Sequence, residues 1–404
     1  MHNVRKMTED LYWVGVNDKK LPCFEGLYPA EGGVSYNAYV LLDDKTVLFD
    51  TVDWSVARQF IENVEFVLNG RPLDYLVVNH VEPDHAAAVN EVLLRHPETQ
   101  IISTKKALMF MRQYGINPED RCIEVREGDI FGFGSHEVTF VAAPMVHWPE
   151  AMMTYDITAR TLFSADAFGS FKSLDGALFA DEVNFKEEWA GEARRYYTNI
   201  VGKYGTQVMN VLKKVSSVAI DMICPLHGPV WREDLGWIIN KYIHWATYEP
   251  EETGVLIVYG SIYGNTEQAA QILASRLVEK GMTNVRVYDA AETHYSYLIA
   301  EAFRYSHLAV LSVTHNLNVF PPMQALLDDM KRLNLQNRTV AVVENGTWAP
   351  TAGKGMIKTL ESMKQMTVLN GPVSVLSSVS DANNGELDAL AEAIIQSMEP
   401  VREG

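Results

Sequence analysis

Cysteine is one of the scarcest residues of this 404-residue chain. Its three cysteines, Cys23, Cys122 and Cys224, are far apart in the sequence and form no C-x-x-C pair. Disulfide frameworks and cysteine-ligated zinc or iron centres need paired or closely spaced cysteines. The sequence therefore predicts neither kind of site, and any metal bound by the chain must be held by other side chains.

Long apolar runs and an excess of basic charge are missing as well. The longest apolar runs, such as "LAVLSV" and "YLVVN", are far shorter than a membrane span, and the start "MHNVRKMTEDLYW" lacks the apolar stretch of a signal peptide. The net charge is -18, which disfavours binding to nucleic acid and to anionic membranes. We therefore expect a cytoplasmic protein without a nucleic-acid or membrane partner.

The chain does contain enough apolar material for two domains, since 47% of its residues are hydrophobic. In residues 1–249, strand-like and helical segments are interspersed, which predicts a layered α/β sandwich. The charged segment "EPEETG", which contains Pro and Gly, marks the boundary between the domains. In residues 254–404, strand-like segments such as "VLIVYG" alternate with helical ones, which predicts a doubly wound parallel sheet of five strands.

The most polar cluster of the first half, "NHVEPDH", directly follows a strand-like run. Loops that leave the carboxyl ends of strands hold metal ligands firmly while keeping the ion accessible. A lone histidine is more often structural and a lone aspartate can cap a helix, but ligand-type residues recur here after several strand-like runs. The candidate metal ligands are His80, Glu82, Asp84, His85, His147, Asp166 and His227.

The second half opens with a strand that is followed by "GSIYGNTEQAA". A loop of small and hydroxyl residues that leads into a helix can bind a phosphate through backbone N–H groups and the helix N-terminus. Such a turn alone is more often an ordinary helix cap, but two later loops, "SVTHNLNVFPP" and "VENGTWAPTAG", lie at the same predicted sheet edge. The candidate cofactor-binding residues are Ser261, Ile262, Tyr263, Gly264, Asn265, Thr266, Thr314, His315, Asn316, Asn318, Asn345, Gly346, Thr347 and Trp348.

The first motif is similar to the H-x-H-x-D-H signature of metallo-β-lactamase-like hydrolases, but Glu82 replaces its second histidine. A carboxylate makes the site harder and favours iron or manganese over zinc. This variant, together with "HWPE", "DAFG" and "HGPVW", resembles the flavodiiron proteins over essentially the whole chain. The resemblance implies a metallo-β-lactamase-like αββα domain followed by a flavodoxin-like domain.

The same resemblance implies two non-haem iron ions and one FMN per chain. His80, Glu82 and His147 would hold one ion, Asp84 and His227 the other, and Asp166 would bridge them. The residue His85 is a ligand in the parent hydrolases and is kept as a further candidate. The second-half loop resembles the flavodoxin loop around the phosphate of FMN, and Trp348 is a candidate for stacking on the flavin ring.

The activity implied by the resemblance is reduction of dioxygen to water, of nitric oxide to nitrous oxide, or of both. Electrons would come through FMN from an external donor, because the chain encodes no rubredoxin module; the candidates are a rubredoxin, a flavoprotein reductase and a reduced deazaflavin. Tyr196 aligns with a pocket tyrosine of the family. Glu25, in "CFEG", stands where many members carry a histidine, so it is a second candidate catalytic residue.

Two other functions share part of this pattern. A dizinc hydrolase with an appended flavodoxin domain would need a histidine at position 82, and a plain electron-transfer flavoprotein would not retain a full ligand set.

The expected assembly follows from the short linker between the domains, since six residues extend at most about 20 Å. In an elongated chain the flavin and the metal pair would lie too far apart for fast electron transfer. We expect a head-to-tail homodimer, or a tetramer built from it, in which the FMN of one chain lies beside the metal pair of its partner.

Overall fold

The computed structural model describes residues 2–118 and 120–398. The chain divides into two compact units, the first from Met1 to Ile243 and the second from His244 onward. Within the described residues, no helix is long and apolar enough to cross a membrane.

The first unit contains two extended sheets and two small ribbons. Its strands are β1 (Arg5–Lys6), β2 (Leu11–Trp13), β3 (Val16–Asp18), β4 (Cys23–Phe24), β5 (Tyr28–Pro29), β6 (Val34–Tyr36), β7 (Tyr39–Leu42), β8 (Thr46–Phe49), β9 (Tyr75–Val77), β10 (Gln100–Thr104), β11 (Cys122–Val125), β12 (Ile130–Gly132), β13 (Glu137–Ala142), β14 (Met152–Asp156), β15 (Thr161–Phe163) and β16 (Met222–Cys224). One sheet has the order β1-β2-β7-β8-β9-β10-β11 and the other β12-β13-β14-β15-β16, while β3 pairs with β6 and β4 with β5.

The helices of the first unit are α1 (Ala57–Leu68), α2 (Pro83–Ala86), α3 (Val89–Arg95), α4 (Lys105–Gln113), α5 (Phe185–Glu188), α6 (Ala190–Tyr196), α7 (Gly205–Val215) and α8 (Leu235–Thr247). Short 3-10 turns cover Trp54–Val56, Ala180–Glu182 and Gly202–Tyr204, and a π-helical turn covers Tyr197–Val201.

The two sheets of the first unit pack face to face through aromatic side chains. Phe49 of β8 stacks on Phe163 of β15 with 3.9 Å between ring centroids, and Tyr39 of β7 meets the same ring edge-on. Helices α1 and α4 contact the first sheet and α7 contacts the second. The strands β8, β9 and β10 run parallel and are largely buried, as expected for strands covered on both faces. The predicted αββα sandwich is therefore confirmed.

The second unit is a parallel sheet with helices on both faces. Its strands are β17 (Glu252–Gly260), β18 (Val285–Asp289), β19 (Tyr305–His315), β20 (Asn318–Val319), β21 (Arg338–Asn345), β22 (Met366–Val368) and β23 (Val373–Val375). Its helices are α9 (Asn265–Glu279), α10 (Tyr295–Arg304), α11 (Pro321–Arg332), α12 (Ala352–Glu361) and α13 (Asp381–Met398).

The order of the main strands is β18-β17-β19-β21-β22, with β23 also pairing with β21. The short strand β20 pairs antiparallel with β19 at the side of this sheet. Helices α9 and α13 cover one face, where Leu273 and Leu387 belong to one core cluster. Helices α10, α11 and α12 cover the other, where Leu327 and Met356 belong to a second cluster. The predicted doubly wound sheet is confirmed, and β22 and β23 together form its fifth position. Successive strands are added on one side of β17 and then on the other, so the order of connections switches between β17 and β19. The carboxyl ends of these two parallel strands therefore border a crevice of the kind that commonly binds ligands.

Candidate metal centre and flavin cavity

The strand directions of the second sheet bring several predicted ligands to one edge. Strands β13 and β15 are both antiparallel to β14, and β16 is parallel to β15, so β13, β15 and β16 all end on the same side. His147, Asp166 and His227 follow these three strands within a few residues. The loop after β9 joins them, because Met152 N–H donates to the Asn79 carbonyl at 3.0 Å.

Four of the predicted ligands form one cluster with their donor atoms turned toward one another. Glu82 Oε2 lies 3.2 Å from His80 Nε2 and 3.0 Å from His147 Nε2. Asp166 Oδ2 lies 3.3 Å from His80 Nε2 and 3.1 Å from His147 Nε2. The ligand atoms of these four residues all lie within 4.8 Å of one another, which is the spacing that a single metal ion requires.

The remaining three predicted ligands form a second cluster. Asp84 Oδ2 lies 3.2 Å from both His85 Nε2 and His227 Nε2, and the two imidazole nitrogens are 3.1 Å apart. Asp166 faces this cluster with its other oxygen, since Oδ1 lies 3.2 Å from His85 Nε2 and 3.7 Å from His227 Nε2. The structure thus brings together all seven predicted ligands, places His85 among them, and sets Asp166 between the two clusters.

The chemistry of these donors fits metal ions. Both carboxylate oxygens of Asp84 and Oδ1 of Asp166 are buried and receive no hydrogen bond from any described residue. Burying a polar atom without a hydrogen-bond partner costs free energy, so these carboxylate oxygens need a cation as their partner. Three carboxylates and four imidazoles that converge in two adjoining groups offer the mixed oxygen and nitrogen set that suits iron. The clusters therefore fit a pair of non-haem iron ions.

The electrostatics of the clusters show strong mutual stabilisation. Burial raises the pKa of Asp166, but His80, His85 and His147 more than offset this and hold it well below its ordinary value. Burial lowers the pKa of His147, but Asp166 and Glu82 outweigh it and raise that pKa to about 9. The Asp166 carboxylate is consequently held ionised, which is the form that binds a cation.

Sequence reasoning missed the residues that support the ligands from behind. His80 Nδ1 lies 2.8 Å from Glu150 Oε1, and His227 Nδ1 lies 2.8 Å from the Ser35 carbonyl. Buried Asp50 accepts from Asn79 N–H at 2.7 Å and thereby fixes the chain just before His80. The only signal in the sequence was the position of Glu150 three residues after His147 in "HWPE".

The two predicted catalytic residues border the second cluster. Tyr196, the last residue of α6, is buried, and its ring centroid lies 5.5 Å from that of His227. Burial and the charges of Asp166 and Asp84 raise the pKa of Tyr196 well above its ordinary value, so its O–H remains protonated.

Glu25 lies in the turn between β4 and β5, next to Phe24, whose ring packs edge-on against His227 at 5.3 Å. Although the residue itself is exposed, partial desolvation of its carboxyl and then the charge of Glu82 raise its pKa to about 7. His147 opposes this rise, and Asp84 and Asp166 add to it. Glu25 therefore faces the charges of both clusters.

The second unit has a cavity of about 380 Å³ at the carboxyl edge of its sheet. Of the fourteen predicted cofactor-binding residues, twelve line it: Ser261, Ile262, Tyr263, Asn265, Thr266, Thr314, His315, Asn316, Asn345, Gly346, Thr347 and Trp348. Gly264 and Asn318 do not line it. The lining also includes Val313, Leu317 and Ser377, which sequence reasoning missed.

The loop between β17 and α9 leads into the helix through a glycine turn. Gly264 has a φ of 85°, a left-handed conformation that glycine adopts without strain, and its N–H donates to Ser261 Oγ at 3.1 Å. Helix α9 begins at the next residue and runs for 15 residues, so its N-terminus adds a favourable dipole at the loop.

The remaining lining combines apolar and amide side chains. Trp348 is 76% exposed and Tyr263 is 91% exposed at the rim, where an aromatic ring can stack on a planar ligand. A phosphate-binding loop beside an apolar, aromatic-rimmed cavity of this size fits FMN.

Comparisons with known proteins agree with this geometry in both units. A family model described as ODP family beta lactamase matches residues 34–228, and a flavodoxin model matches residues 257–389. An anaerobic nitric oxide reductase flavorubredoxin of Aeromonas hydrophila is 33% identical over 345 residues, which cover 84% of this chain and 69% of that protein. The flavorubredoxin of the same name from Escherichia coli is 32% identical, with 84% of this chain and 71% of that protein covered.

Solved structures of similar proteins match almost the whole length. The rubredoxin oxygen:oxidoreductase of Desulfovibrio gigas superposes with a TM-score of 0.92 at 26% identity, covering 98% of each chain. The flavodiiron protein of Giardia intestinalis has the same fold, with a TM-score of 0.90 at 23% identity and 99% of each chain covered.

Proposed function

The chain belongs to the flavodiiron protein family and is an oxidoreductase with FMN and a non-haem diiron site, and from this premise we propose that it reduces a diatomic gas. The proposed substrates are dioxygen, which is reduced to water, and nitric oxide, which is reduced to nitrous oxide. The observation that carries the proposal is the pair of ligand clusters joined by Asp166, in a chain that also contains the flavodoxin cavity.

We propose that His80, Glu82 and His147 hold one ion and that Asp84 and His227 hold the other, with Asp166 shared between them. The distances support His85 as a third protein ligand of the second ion. Such an ion pair would supply electrons and open coordination positions, and bound FMN would supply replacement electrons one or two at a time. The protein also orients two of these ligands. The Nδ1 atoms of His80 and His227 are hydrogen-bonded to surrounding residues, so the Nε2 atom of each ring faces the site.

Both reductions consume protons as well as electrons. One dioxygen molecule takes four electrons and four protons to give two water molecules. Two nitric oxide molecules take two electrons and two protons to give one nitrous oxide and one water. We propose that the Tyr196 O–H, which stays protonated near His227, donates a hydrogen bond into the site. The Glu25 carboxyl, with a pKa near neutrality, is the group that we propose passes protons from solvent.

We propose that electrons reach FMN from a separate donor, either a rubredoxin, a flavoprotein reductase or a reduced deazaflavin. The name of the Desulfovibrio gigas protein supports the rubredoxin alternative for that relative.

We also propose that two chains pair head to tail, as a dimer or within a tetramer, so that the flavin of one serves the metal pair of the other. The apolar side chains exposed at the rim of the flavin cavity, Ile262, Tyr263, Leu317 and Trp348, support a covered surface there. Location in the cytoplasm stays a prediction.

Metal and flavin analysis of the purified protein tests the cofactor assignment. We expect about two irons and one FMN per chain. Bound zinc would instead favour a hydrolase, and flavin without metal would favour an electron carrier. The substrate is tested by reducing the protein anaerobically with an electron donor, then adding a known amount of dioxygen or nitric oxide and measuring its consumption. The variant His80→Ala/His147→Ala should keep its flavin but lose gas consumption, and full consumption by this variant would contradict the proposal.

A further inference from the structure

Glu150 is a buried carboxylate that lies behind the metal clusters and is not one of the proposed ligands. The residue is 2% exposed. Its Oε1 lies 2.8 Å from His80 Nδ1 and accepts a second hydrogen bond from Val81 N–H at 3.1 Å. Its Oε2 is buried and receives no hydrogen bond from the described residues. The negative charge of Glu150 is therefore directed mainly at the imidazole of His80.

The outer nitrogens of His85 and His227 are not hydrogen-bonded to a carboxylate. His227 Nδ1 donates to the backbone carbonyl of Ser35 at 2.8 Å. The Nδ1 atom of His85 is buried and has no hydrogen-bond partner among residues 2–118 and 120–398. The cluster of His80 thus contains two ligand carboxylates, Glu82 and Asp166, and is backed by a third carboxylate that is hydrogen-bonded to an outer imidazole nitrogen. The buried carboxylate of Asp50 interacts with the charge of His85, but it accepts its hydrogen bonds from Asn79 and from His80 N–H.

A carboxylate that accepts from one imidazole nitrogen fixes the tautomer and the ring orientation, and it makes the other nitrogen a stronger donor to a metal. A fully buried carboxylate acts more strongly than a carbonyl, because its charge is poorly screened in a dry site. A metal with more electron-rich ligands holds its higher oxidation state more firmly. The two ions of a pair bound here would therefore differ in reduction potential.

We propose that Glu150 is a positioning residue that orients His80 and makes its cluster the more electron-rich of the two, so that the metal held by His80, Glu82 and His147 has the lower reduction potential. This inference rests on the ligand assignment proposed above. A purely structural alternative is that Glu150 only anchors the loop after β9 through the N–H group of Val81.

The variant Glu150→Gln separates these two roles. Glutamine has nearly the same shape and keeps an oxygen that can accept from His80 Nδ1 and from Val81 N–H, but it removes the charge. We expect the iron affinity, measured by chelator competition, to fall roughly 10- to 100-fold. We also expect the midpoint potential of one iron, followed by Mössbauer spectroscopy during a redox titration, to rise while the other iron changes less.

Two further variants test whether charge is the cause. Glu150→Asp keeps the charge at a greater distance, so its midpoint potential should lie closer to that of the natural protein than the potential of Glu150→Gln does. In a His80→Ala background, Glu150→Gln should leave the iron content equal to that of His80→Ala alone, because its effect passes through His80. Equal potentials for the aspartate and glutamine variants would overturn the inference.

A matched control lies elsewhere in the first unit. Asp156 Oδ2 accepts from His136 Nδ1 at 2.6 Å, so this is also a buried histidine–carboxylate pair, but it lies outside the clusters. Asp156→Asn should lower the melting temperature without changing iron affinity or potential. If Glu150→Gln behaves in the same way, with lower stability and an unchanged centre, the structural alternative holds and the inference is wrong. Retention of both irons in His80→Ala would instead contradict the ligand assignment.

Discussion

At the scale of single residues, Glu82 is the ligand that distinguishes this centre from a zinc site. Its Oε2 lies 3.0 Å from His147 Nε2 and 3.2 Å from His80 Nε2, in the middle of the first cluster. Imidazole suits zinc, whereas a carboxylate favours harder ions. Replacing this one oxygen donor by nitrogen would make the first cluster a three-histidine site with a single remaining carboxylate, Asp166.

We therefore predict that Glu82→His shifts the bound metal from iron toward zinc and abolishes gas reduction. Metal analysis after expression with equal iron and zinc supply gives the measurement. Glu361→His, on the exposed side of helix α12 in the second unit, is the control and should leave metal content unchanged. Full turnover with iron still bound in Glu82→His would show that the carboxylate does not select the metal.

A second residue-scale prediction concerns His136, which lies between two carboxylates. Its Nδ1 lies 2.6 Å from Asp156 Oδ2 and its Nε2 lies 2.9 Å from Asp10 Oδ2. Burial lowers the pKa of His136, but these two carboxylates outweigh it and raise that pKa above the ordinary value. In the unfolded chain the pKa of a histidine is about 6.5. The stabilisation is therefore complete below about pH 6.5 and is lost as the pH rises through the raised pKa of the folded state.

We expect the free energy of unfolding to fall more steeply with rising pH above about 6.5 in the natural protein than in His136→Asn. Urea unfolding at a series of pH values measures both slopes, and the difference between them removes contributions from other histidines. Identical slopes would mean that His136 does not change its charge on folding in this range.

The sequence allowed the ligands to be proposed because each of them follows a strand closely and belongs to a dense polar motif. The residues behind the ligands carry no such signal. Asp50 precedes Asn79 by 29 positions and Glu150 follows His80 by 70, and each reaches the site only because the sheets bring their loops together. His85 illustrates the same point, since its role depends on how a four-residue helix, α2, turns its side chain toward His227.

At the scale of elements, helix α12 is held at its N-terminus by a residue of a different loop. Thr351, the N-cap residue, makes no side-chain cap of its own. Instead, Thr314 Oγ1 accepts from Thr351 N–H at 3.0 Å and from Ala352 N–H at 3.2 Å. Both Thr314 and the loop before α12, with Trp348, line the flavin cavity. This cap therefore links two of the loops that form the cavity.

We predict that Thr314→Val lowers FMN affinity and destabilises the second unit by about 0.5–2 kcal/mol, because valine keeps the shape but cannot accept the two hydrogen bonds. Flavin fluorescence titration and thermal unfolding measure the two effects. Thr359→Val makes the same replacement within α12, where the hydroxyl donates to the Gly355 carbonyl, and should leave FMN affinity unchanged. Equal FMN affinity in the two variants would contradict the role of the cap.

The alternation of strands and helices in the second half was enough to predict its sheet, but two local features were not predictable from periodicity. The fifth position is split into β22 and β23 because Asn370 and Gly371 have positive φ values and Pro372 offers no N–H for pairing. In the first unit, the π-helical turn Tyr197–Val201 follows Tyr196 directly. Helical periodicity does not signal such a turn, and turns of this kind are frequent at functional sites.

At the scale of the whole molecule, each chain carries both a flavin site and a metal site, and turnover requires electrons to pass between two such sites. Aromatic and aliphatic side chains are exposed around the flavin cavity, with Tyr263 and Trp348 the most open of them. Large apolar patches on a soluble protein usually mark a surface that a partner covers. In a twofold-symmetric pair, the same two surfaces meet twice, so each flavin would face the metal pair of the other chain.

The last prediction tests this pairing with two complementary variants in one heterodimer. A chain with His80→Ala and His147→Ala lacks its metal site, and a chain with Ser261→Asp and Thr266→Asp lacks FMN, because carboxylates repel the phosphate at the loop before α9. Each homodimer should be inactive. If electrons cross between subunits, the heterodimer should recover roughly half of the natural activity, since one of its two interfaces still joins an intact flavin to an intact metal pair. If electrons stay within a chain, no chain of the heterodimer has both cofactors and activity stays absent. Gas consumption by the purified heterodimer, with iron and FMN content measured in the same sample, therefore decides between transfer within and between subunits, and a monomer with full activity would also rule out the pairing.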